Sequence, residues 1–269
     1  MQKLPLNILA SLPLGELRYF DTIGSTNDEA LAWAIQGAPD CSLVVADEQT
    51  QGRGRAGRRW ITPRGTALAF SLILRPTPAE TNSPALVTGL AAISVVEALK
   101  KAYCLEALIK WPNDVLIGRK KIAGILVESV WAGDCLDAMV VGIGVNVLQE
   151  SQPAQKELLF PATSLEAELS AADEKRHHDC NLAVDRWRLL REIVATFLEW
   201  RPRLGSEDLR NAWERYLAFR GEPVRVWTGS EQPLIGHIIG LAGDGRLRLL
   251  VGERIEVIPF GEIHLRPSL

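Results

Sequence analysis

Apolar and polar positions follow two spacings along this chain, and the places where the spacing changes divide it into three stretches. Up to residue 148, apolar runs of strand length stand at Glu16–Phe20, Leu43–Ala46, Thr66–Leu74, Val115–Ile117, Lys121–Glu128 and Ala138–Leu148. Helical spacing interrupts them twice. One helix is predicted over Asn27–Gln36, with Thr26 and Glu29 as a capping box. Another is predicted over Ala85–Tyr103, where Leu86, Leu90, Ile93, Val96 and Leu99 form one stripe that packs on a sheet. Thr77–Pro84 reads as a polar connection between them. The middle stretch, Ser151–Cys180, is polar and irregular, with a short helix at Thr163–Leu169. An amphipathic helix follows over Leu182–Trp200, then a helix over Glu207–Phe219 that Ser206 caps. From Gly221 the pattern becomes five short strands, Pro223–Trp227, Leu234–Leu241, Arg246–Val251, Ile255–Ile258 and Ile263–Leu265, which predict a small β-barrel with its boundary near Phe219.

A chain of 269 residues holds one large domain and a small one with ample core. Its net charge of −3 gives no general attraction to nucleic acid, so any basic cluster is a local feature. Cys41, Cys104, Cys135 and Cys180 lie far apart and read as reduced, mostly buried thiols of a cytosolic protein. His177-His178-Asp179-Cys180 has no second half-site and reads as solvated linker rather than a metal tract. The start of the chain, broken by Pro5 and Pro13, makes a poor signal peptide, and no run reaches the roughly eighteen apolar residues of a membrane span.

The chemistry concentrates in a few stretches. Gly52–Trp60 holds four arginines and three glycines in nine residues, fixed positive charge on a permissive backbone, which suits a loop closing over an anion. It formally matches G-x-G-x-x-G, but Trp60-Ile61-Thr62-Pro63 follows where a dinucleotide fingerprint needs a helix. A solvated basic loop or an RNA-binding Arg-Gly segment fits the same residues. Ser25 and Asn27 stand at a helix N-terminus as free donors, where backbone N–H groups favour anions and carbonyls. In Lys110-Trp111-Pro112-Asn113-Asp114 the proline excludes a helix. Asp114 there suits Mg²⁺ or a ribose hydroxyl, Asn113 a base or phosphate, and Lys110 phosphate charge; an Asn-Asp turn between strands accounts for the same residues. Lys121 heads an apolar run and delivers its ammonium to the edge of a core, and Gly124 implies close approach of a ligand or backbone. Asn146, the one side-chain amide of its run, either pairs with backbone or faces the same pocket as Lys121.

Taken together, Ser25-Thr26-Asn27, Gln49 with Gly52-Arg53-Gly54-Arg55-Ala56-Gly57, Lys110–Asp114, Lys121–Leu126 and Gly142-Ile143-Gly144-Val145-Asn146 resemble, in order and spacing, the biotin protein ligase family. The resemblance covers about residues 17–269 and implies an α+β fold: a class II aminoacyl-tRNA synthetase-like catalytic domain at 1–219, and an SH3-like barrel at 220–269. The family's biotin-contacting positions fall on Ser25, Thr26, Asn27, Gln49, Arg53, Gly54, Arg55 and Lys121, and its nucleotide-contacting positions on Trp60, Asn113, Asp114, Asn146 and Arg266, with Lys110 beside them. The implied substrates are biotin and ATP with Mg²⁺. The implied partner is the biotin carboxyl carrier protein of acetyl-CoA carboxylase, and the enzyme is expected in the cytoplasm as a monomer or homodimer.

In the reaction so implied, Lys121 and Arg55 are the catalytic cations, and Trp60 covers the adenine side. Only about sixteen residues precede the first strand, too few for the helix-turn-helix of members that double as repressors, so no DNA-binding role is expected. Ala56 departs from a basic residue common in the family, which changes loop charge. A lipoate ligase, with similar chemistry, and a nucleic-acid-binding module are the rival readings.

Overall fold

A computed structural model describes residues 6–152, 160–175, 183–229, 232–260 and 264–267 of the chain. The His177–Cys180 tract lies outside them. In chain order come β1 (Leu17–Phe20), α1 (Thr26–Ile35), β2 (Ser42–Ala46), β3 (Ala67–Leu74), α2 (Pro78–Asn82), α3 (Ala85–Tyr103), β4 (Leu108–Lys110), β5 (Asp114–Ile117), β6 (Lys120–Ala132) and β7 (Cys135–Asn146). After α4 (Leu165–Lys175), α5 (Arg186–Trp200) and α6 (Glu207–Arg215) stand β8 (Pro223–Trp227), β9 (Leu234–Leu241), β10 (Leu247–Val251), β11 (Arg254–Ile258) and β12 (His264–Pro267).

Seven strands form a mixed sheet in the order β1-β2-β3-β7-β6-β5-β4, with β1 parallel to β2 and the other pairs antiparallel. Strand alternation sends Leu43, Val45, Leu68, Phe70 and Leu72 into a core shared with α3 and α5. Val44, Ile73, Ala138 and Val140 face the opposite way, onto Ala30, Trp33 and Ala34 of α1. Both faces are covered, which is why β2 and β3 read as nearly continuous apolar runs. The same alternation leaves Ser71, Gly142, Gly144, Gly124, Leu126 and Glu128 on the α1 side, and this sets up the site.

Several sequence expectations are corrected. Ser25, not Thr26, caps α1, its side chain accepting from Asp28 N. Thr26 and Glu29 form no capping box, because Glu29 pairs with Arg18 at 2.8 Å and Thr26 turns to Gln49. The connection at Thr77–Pro84 contains α2, closed by a Thr77/Glu80 capping box. The short helix placed at Thr163–Leu169 runs over Leu165–Lys175, and the last helix stops at Arg215. Of the three described cysteines only Cys41 is buried; Cys104 and Cys135 are exposed. The five C-terminal strands make one antiparallel sheet, β11-β10-β9-β8-β12, and among the described residues β11 and β12 do not pair to close it.

That second sheet is fastened to the first unit from two sides. Trp213 of α6 fills the space beside Gly89 of α3 and meets Gly245. Trp111 donates its indole N–H to Gly245 O at 3.0 Å and packs on Phe260 with ring centroids 5.3 Å apart.

Glu80 of α2 is fully buried and receives Arg201 Nε at 2.7 Å and the Thr77 N–H at 2.7 Å. Arg201 also meets Asp40 at 2.8 Å and the Cys41 sulfur at 3.0 Å. Burial pushes the Cys41 thiol up to about 11, with Arg201 only partly opposing. Breaking a buried pair from one side strands the other charge, so Arg201→Ala should lower the free energy of urea unfolding by about 3 to 5 kcal/mol. A loss under about 1 kcal/mol would mean that Glu80 exchanges its partner for water.

Candidate active site

A cavity of about 690 Å³ opens on the α1 side of the large sheet, walled by α1, the Gly52–Trp60 segment, the 110–114 turn, β6, β7 and β12. Every residue singled out in the sequence lines it: Ser25, Thr26, Asn27, Gln49, Arg53, Gly54, Arg55, Trp60, Lys110, Asn113, Asp114, Lys121, Asn146 and Arg266.

The floor is polar and nearly dry. Ser25, Thr26 and Asn27 are each under 5% exposed, and Ser71 beneath them is wholly buried. Gln49 Oε1 accepts from Thr26 N at 2.8 Å and lies 3.0 Å from Thr26 Oγ1, while its Nε2 donates to Thr62 Oγ1 at 3.1 Å. Asn27 Oδ1 accepts from Ser71 Oγ at 2.6 Å, and its Nδ2 reaches Leu126 O at 3.3 Å and Glu128 Oε2 at 2.8 Å. Asn27 can sit there because β7 has no side chain at Gly142, where a Cβ would strike the amide.

The Gly52–Trp60 segment is a narrow finger. Trp60 N donates to Gly52 O at 2.8 Å and Gly54 N to Arg58 O at 2.7 Å, and Ala56 and Gly57 turn its tip with φ of 55° and 69°. Arg53 leaves its base to meet Glu128 through two bonds, at 2.9 and 2.7 Å, and Asp28 at 2.7 Å. Burial works against the Arg53 charge, but the two carboxylates outweigh it and raise the guanidinium above its ordinary value. Arg55 donates to Asn113 Oδ1 at 3.2 Å, so the finger touches the 110–114 turn. Trp60 lies on the bare backbone at Gly124 and Gly144, with Lys121 Nζ 5.5 Å from its ring centre.

Across from the finger, Asp114 takes Lys121 Nζ at 2.5 Å and Lys110 Nζ at 3.5 Å. Burial alone would raise the Asp114 carboxyl, but the two ammonium groups prevail and hold it below its ordinary 3.8. Burial pushes Lys110 below 10.5; Asp114 opposes this, and Lys121 and Arg58 add to it. Lys110 also lies 4.5 Å from the Phe160 ring centre. Lys121 is gripped through its backbone, its N–H donating to Pro161 O at 2.7 Å and its carbonyl accepting from Thr163 N at 2.8 Å. Asn146 does both things the sequence left open: its amide donates to Thr163 O at 2.9 Å, and it lines the cavity. Asn113 likewise serves the turn, donating to Ile125 O at 3.0 Å, while facing the cavity.

Sequence reasoning missed Ser71, Asp28 and Glu128 as members of this cluster. Ser71 carried a faint signal as the lone polar residue in an apolar run, but only strand register places it under α1. Trp111, read with the binding pentapeptide, lines the cavity and also anchors the second sheet through its indole.

Among the described residues, seven cationic side chains line the cavity (Arg53, Arg55, Arg58, Arg59, Lys110, Lys121 and Arg266) against one carboxylate, Asp114. In a chain of net charge −3 this local excess selects an anionic ligand. A carboxyl held below its unfolded value stabilises the fold above that value, and the contribution fades as pH falls through the folded value. The urea midpoint of the wild type should therefore fall more steeply than that of Asp114→Asn between about pH 5 and about pH 2. Parallel curves would show that the two lysines do not stabilise Asp114.

Residues 19–146 match the Biotin/lipoate A/B protein ligase family. The bifunctional ligase/repressor BirA of Bacillus subtilis is 36% identical over 252 residues, covering 93% of this chain and 74% of that protein. A biotin–acetyl-CoA-carboxylase ligase of Paracoccus denitrificans is 36% identical over 244 residues, covering 89% of this chain and 96% of the relative. Among solved structures, the biotin protein ligase from Aquifex aeolicus in complex with biotin and ATP superposes with a TM-score of 0.75 at 29% identity, covering 94% of this chain and 99% of that one. With relatives this similar over nearly its whole length, and with its motif residues gathered around one cavity, the chain belongs to the biotin protein ligase family.

Proposed function

We propose that this protein is an ATP-dependent biotin protein ligase, which forms biotinyl-5'-adenylate and passes the biotinyl group to a lysine of a carrier protein. The observation that carries this reading is the joining of a dry, directional floor (Ser25, Thr26, Asn27, Gln49) to a cationic wall (Arg53, Arg55, Lys110, Lys121) in one cavity. The floor suits the urea ring of biotin, and the wall suits its carboxylate beside a nucleotide triphosphate. A dithiolane ring could make no use of the hydrogen-bonding capacity the floor still has, which disfavours lipoate. Two of the finger's four arginines are engaged within the site, Arg53 by Glu128 and Arg55 by Asn113, which disfavours a nucleic-acid stripe.

In the first step a biotin carboxylate oxygen bonds to the α-phosphorus of MgATP, and the bond to the β-phosphate oxygen breaks, releasing pyrophosphate. Two anions must approach, so the barrier is chiefly electrostatic, and Lys121, Arg53 and Arg55 offset it. Asp114 holds Lys121 and Lys110 in place, and Asn113, Asn146, Trp60 and Arg266 flank the nucleotide. Among the described residues there is no group of three or more His, Cys, Asp or Glu side chains that could hold a metal, and Asp114 is occupied by two lysines. In this reading Mg²⁺ enters with its nucleotide. In the second step the carrier lysine nitrogen attacks the anhydride carbonyl carbon, AMP leaves, and the amine proton passes to solvent. The carrier is the biotin carboxyl carrier domain of acetyl-CoA carboxylase, met in the cytoplasm. Residues 1–219 form the synthetase-like catalytic unit and 220–269 an SH3-like one.

Exchange of labelled pyrophosphate into ATP should require biotin and fail with lipoate, and Lys121→Ala should lower it by about a hundredfold or more. Exchange with lipoate alone would overturn the assignment of substrate. Arg55→Gly, which loses the contact with Asn113, should still make adenylate but release it faster; equal retention in both proteins would exclude the finger as the element that holds the intermediate.

A further inference from the structure

Glu128 stands outside the cavity wall, yet the floor's hydrogen bonds run toward it. The Nδ2 side of Asn27 faces Leu126 O and a carboxylate oxygen of Glu128, and neither can donate. That side must therefore be the NH₂ group, whatever orientation is assigned to the amide, and Oδ1 must face Ser71. An amide oxygen cannot donate either, so the single proton of Ser71 Oγ goes to Asn27, 2.6 Å away. Ser71 Oγ is then free to accept from Thr26 Oγ1 at 2.8 Å. Gln49 Oε1, which takes the Thr26 N–H, has a second lone pair 3.0 Å from Thr26 Oγ1, but a hydroxyl proton spent there would leave the 2.8 Å Thr26–Ser71 contact with no proton between its oxygens. The protons thus all point from Thr26 through Ser71 and Asn27 toward Glu128, which shares the Arg53 guanidinium with Asp28.

We propose that Glu128 is a positioning residue that polarises this chain, so that the Thr26 hydroxyl meets the cavity with its lone pairs and selects a ligand ring carrying an N–H at that point. This rests on the function proposed above and adds to it the determinant of ring recognition. With a glutamine amide in place of the carboxylate, the nearer acceptor at 2.8 Å can become a donor, and only the longer contact to Leu126 O at 3.3 Å still holds the Asn27 amide; when the amide turns, the chain reverses and Thr26 offers a proton instead. The floor would then accept a ring oxygen where it now demands N–H. Such polarity is worth having because a buried acceptor left without its donor is costly, whereas shape alone separates such near-isosteric rings poorly.

The test compares pyrophosphate exchange driven by biotin with exchange driven by the two cyclic carbamate analogues, each with one ring N–H replaced by oxygen. The wild type should prefer biotin over one of the two by roughly a thousandfold in kcat/KM. Glu128→Gln should narrow that ratio at least about tenfold through KM, with kcat within about twofold, and Glu128→Asp should restore part of it. Ser71→Ala, which cuts the chain one link later, should narrow the ratio as well. Arg53→Ala should weaken both ligands alike and leave the ratio unchanged, which separates chain polarity from loss of the ion pair. An unchanged ratio in Ser71→Ala and in folded Glu128→Gln overturns the proposal; if Glu128→Gln does not fold, Ser71→Ala alone decides it. Absence of biotin-driven exchange in the wild type would instead overturn the assignment as a ligase.

Discussion

Asn27 reaches the backbone of β6 only because β7 is bare at position 142, and the geometry of the site follows from that close approach. A methyl group there would drive the amide off Leu126 O, Ser71 and Glu128 together, since one side chain holds all three contacts. Two residues further along β7 the same device recurs at Gly144, opposite Gly124 of β6, and the Trp60 indole lies in the space. The two longest strands of the sheet thus give up side-chain packing on one face and gain a trough deep enough to hold a ligand. The opposite face of the same strands keeps its Val and Ile residues in the main core, so the cost in stability is confined to one side.

Charge is placed around that trough with equal economy. Exposed ion pairs contribute little, but Asp114 is mostly shielded and stands between two ammonium groups, where each interaction is stronger than in water. Were the carboxylate absent, Lys110 and Lys121 would repel each other across the space it fills. Arg53 is the counterpart at the other end, matched by Glu128 and Asp28. Lys110, Lys121 and Arg53 are therefore each held by an acid, and the excess positive charge comes from other residues on the finger and from Arg266 of the second sheet.

Much of this was legible in the sequence, and the failures have physical causes. Strands buried on both faces announce themselves as long apolar runs, and α3 as one apolar stripe. The start of α1 was misplaced by one residue because two hydroxyls compete for the cap. Thr26 has better partners in Gln49 and Ser71, so Ser25 takes it. The five-residue α2 escaped notice because a proline-led polar segment resembles a loop until its capping box is seen. All the motif residues meet at one cavity as their order suggested, since they sit at strand ends and turns on the same side of the sheet. Glu128 and Ser71 could not be placed without strand register: a shift of one residue would turn each into the core. Whether β11 and β12 close into a barrel depends on pairing between distant strands, which no local pattern encodes.

The turn at 110–114 shows how one short stretch can serve two units. Successive residues point in opposed directions, so that Lys110, Asn113 and Asp114 face the cavity while the Trp111 indole enters the second sheet at Gly245 and Phe260. The position of the lysine pair is thus tied to the docking of β8–β12, and the docking places Arg266 at the cavity's edge. A turn built only to join β4 to β5 would need neither a fully buried tryptophan nor a carboxylate between two lysines. The C-terminal sheet thus meets the site at this turn as well as through Arg266, and the turn ties where the cationic wall stands to how the sheet is docked.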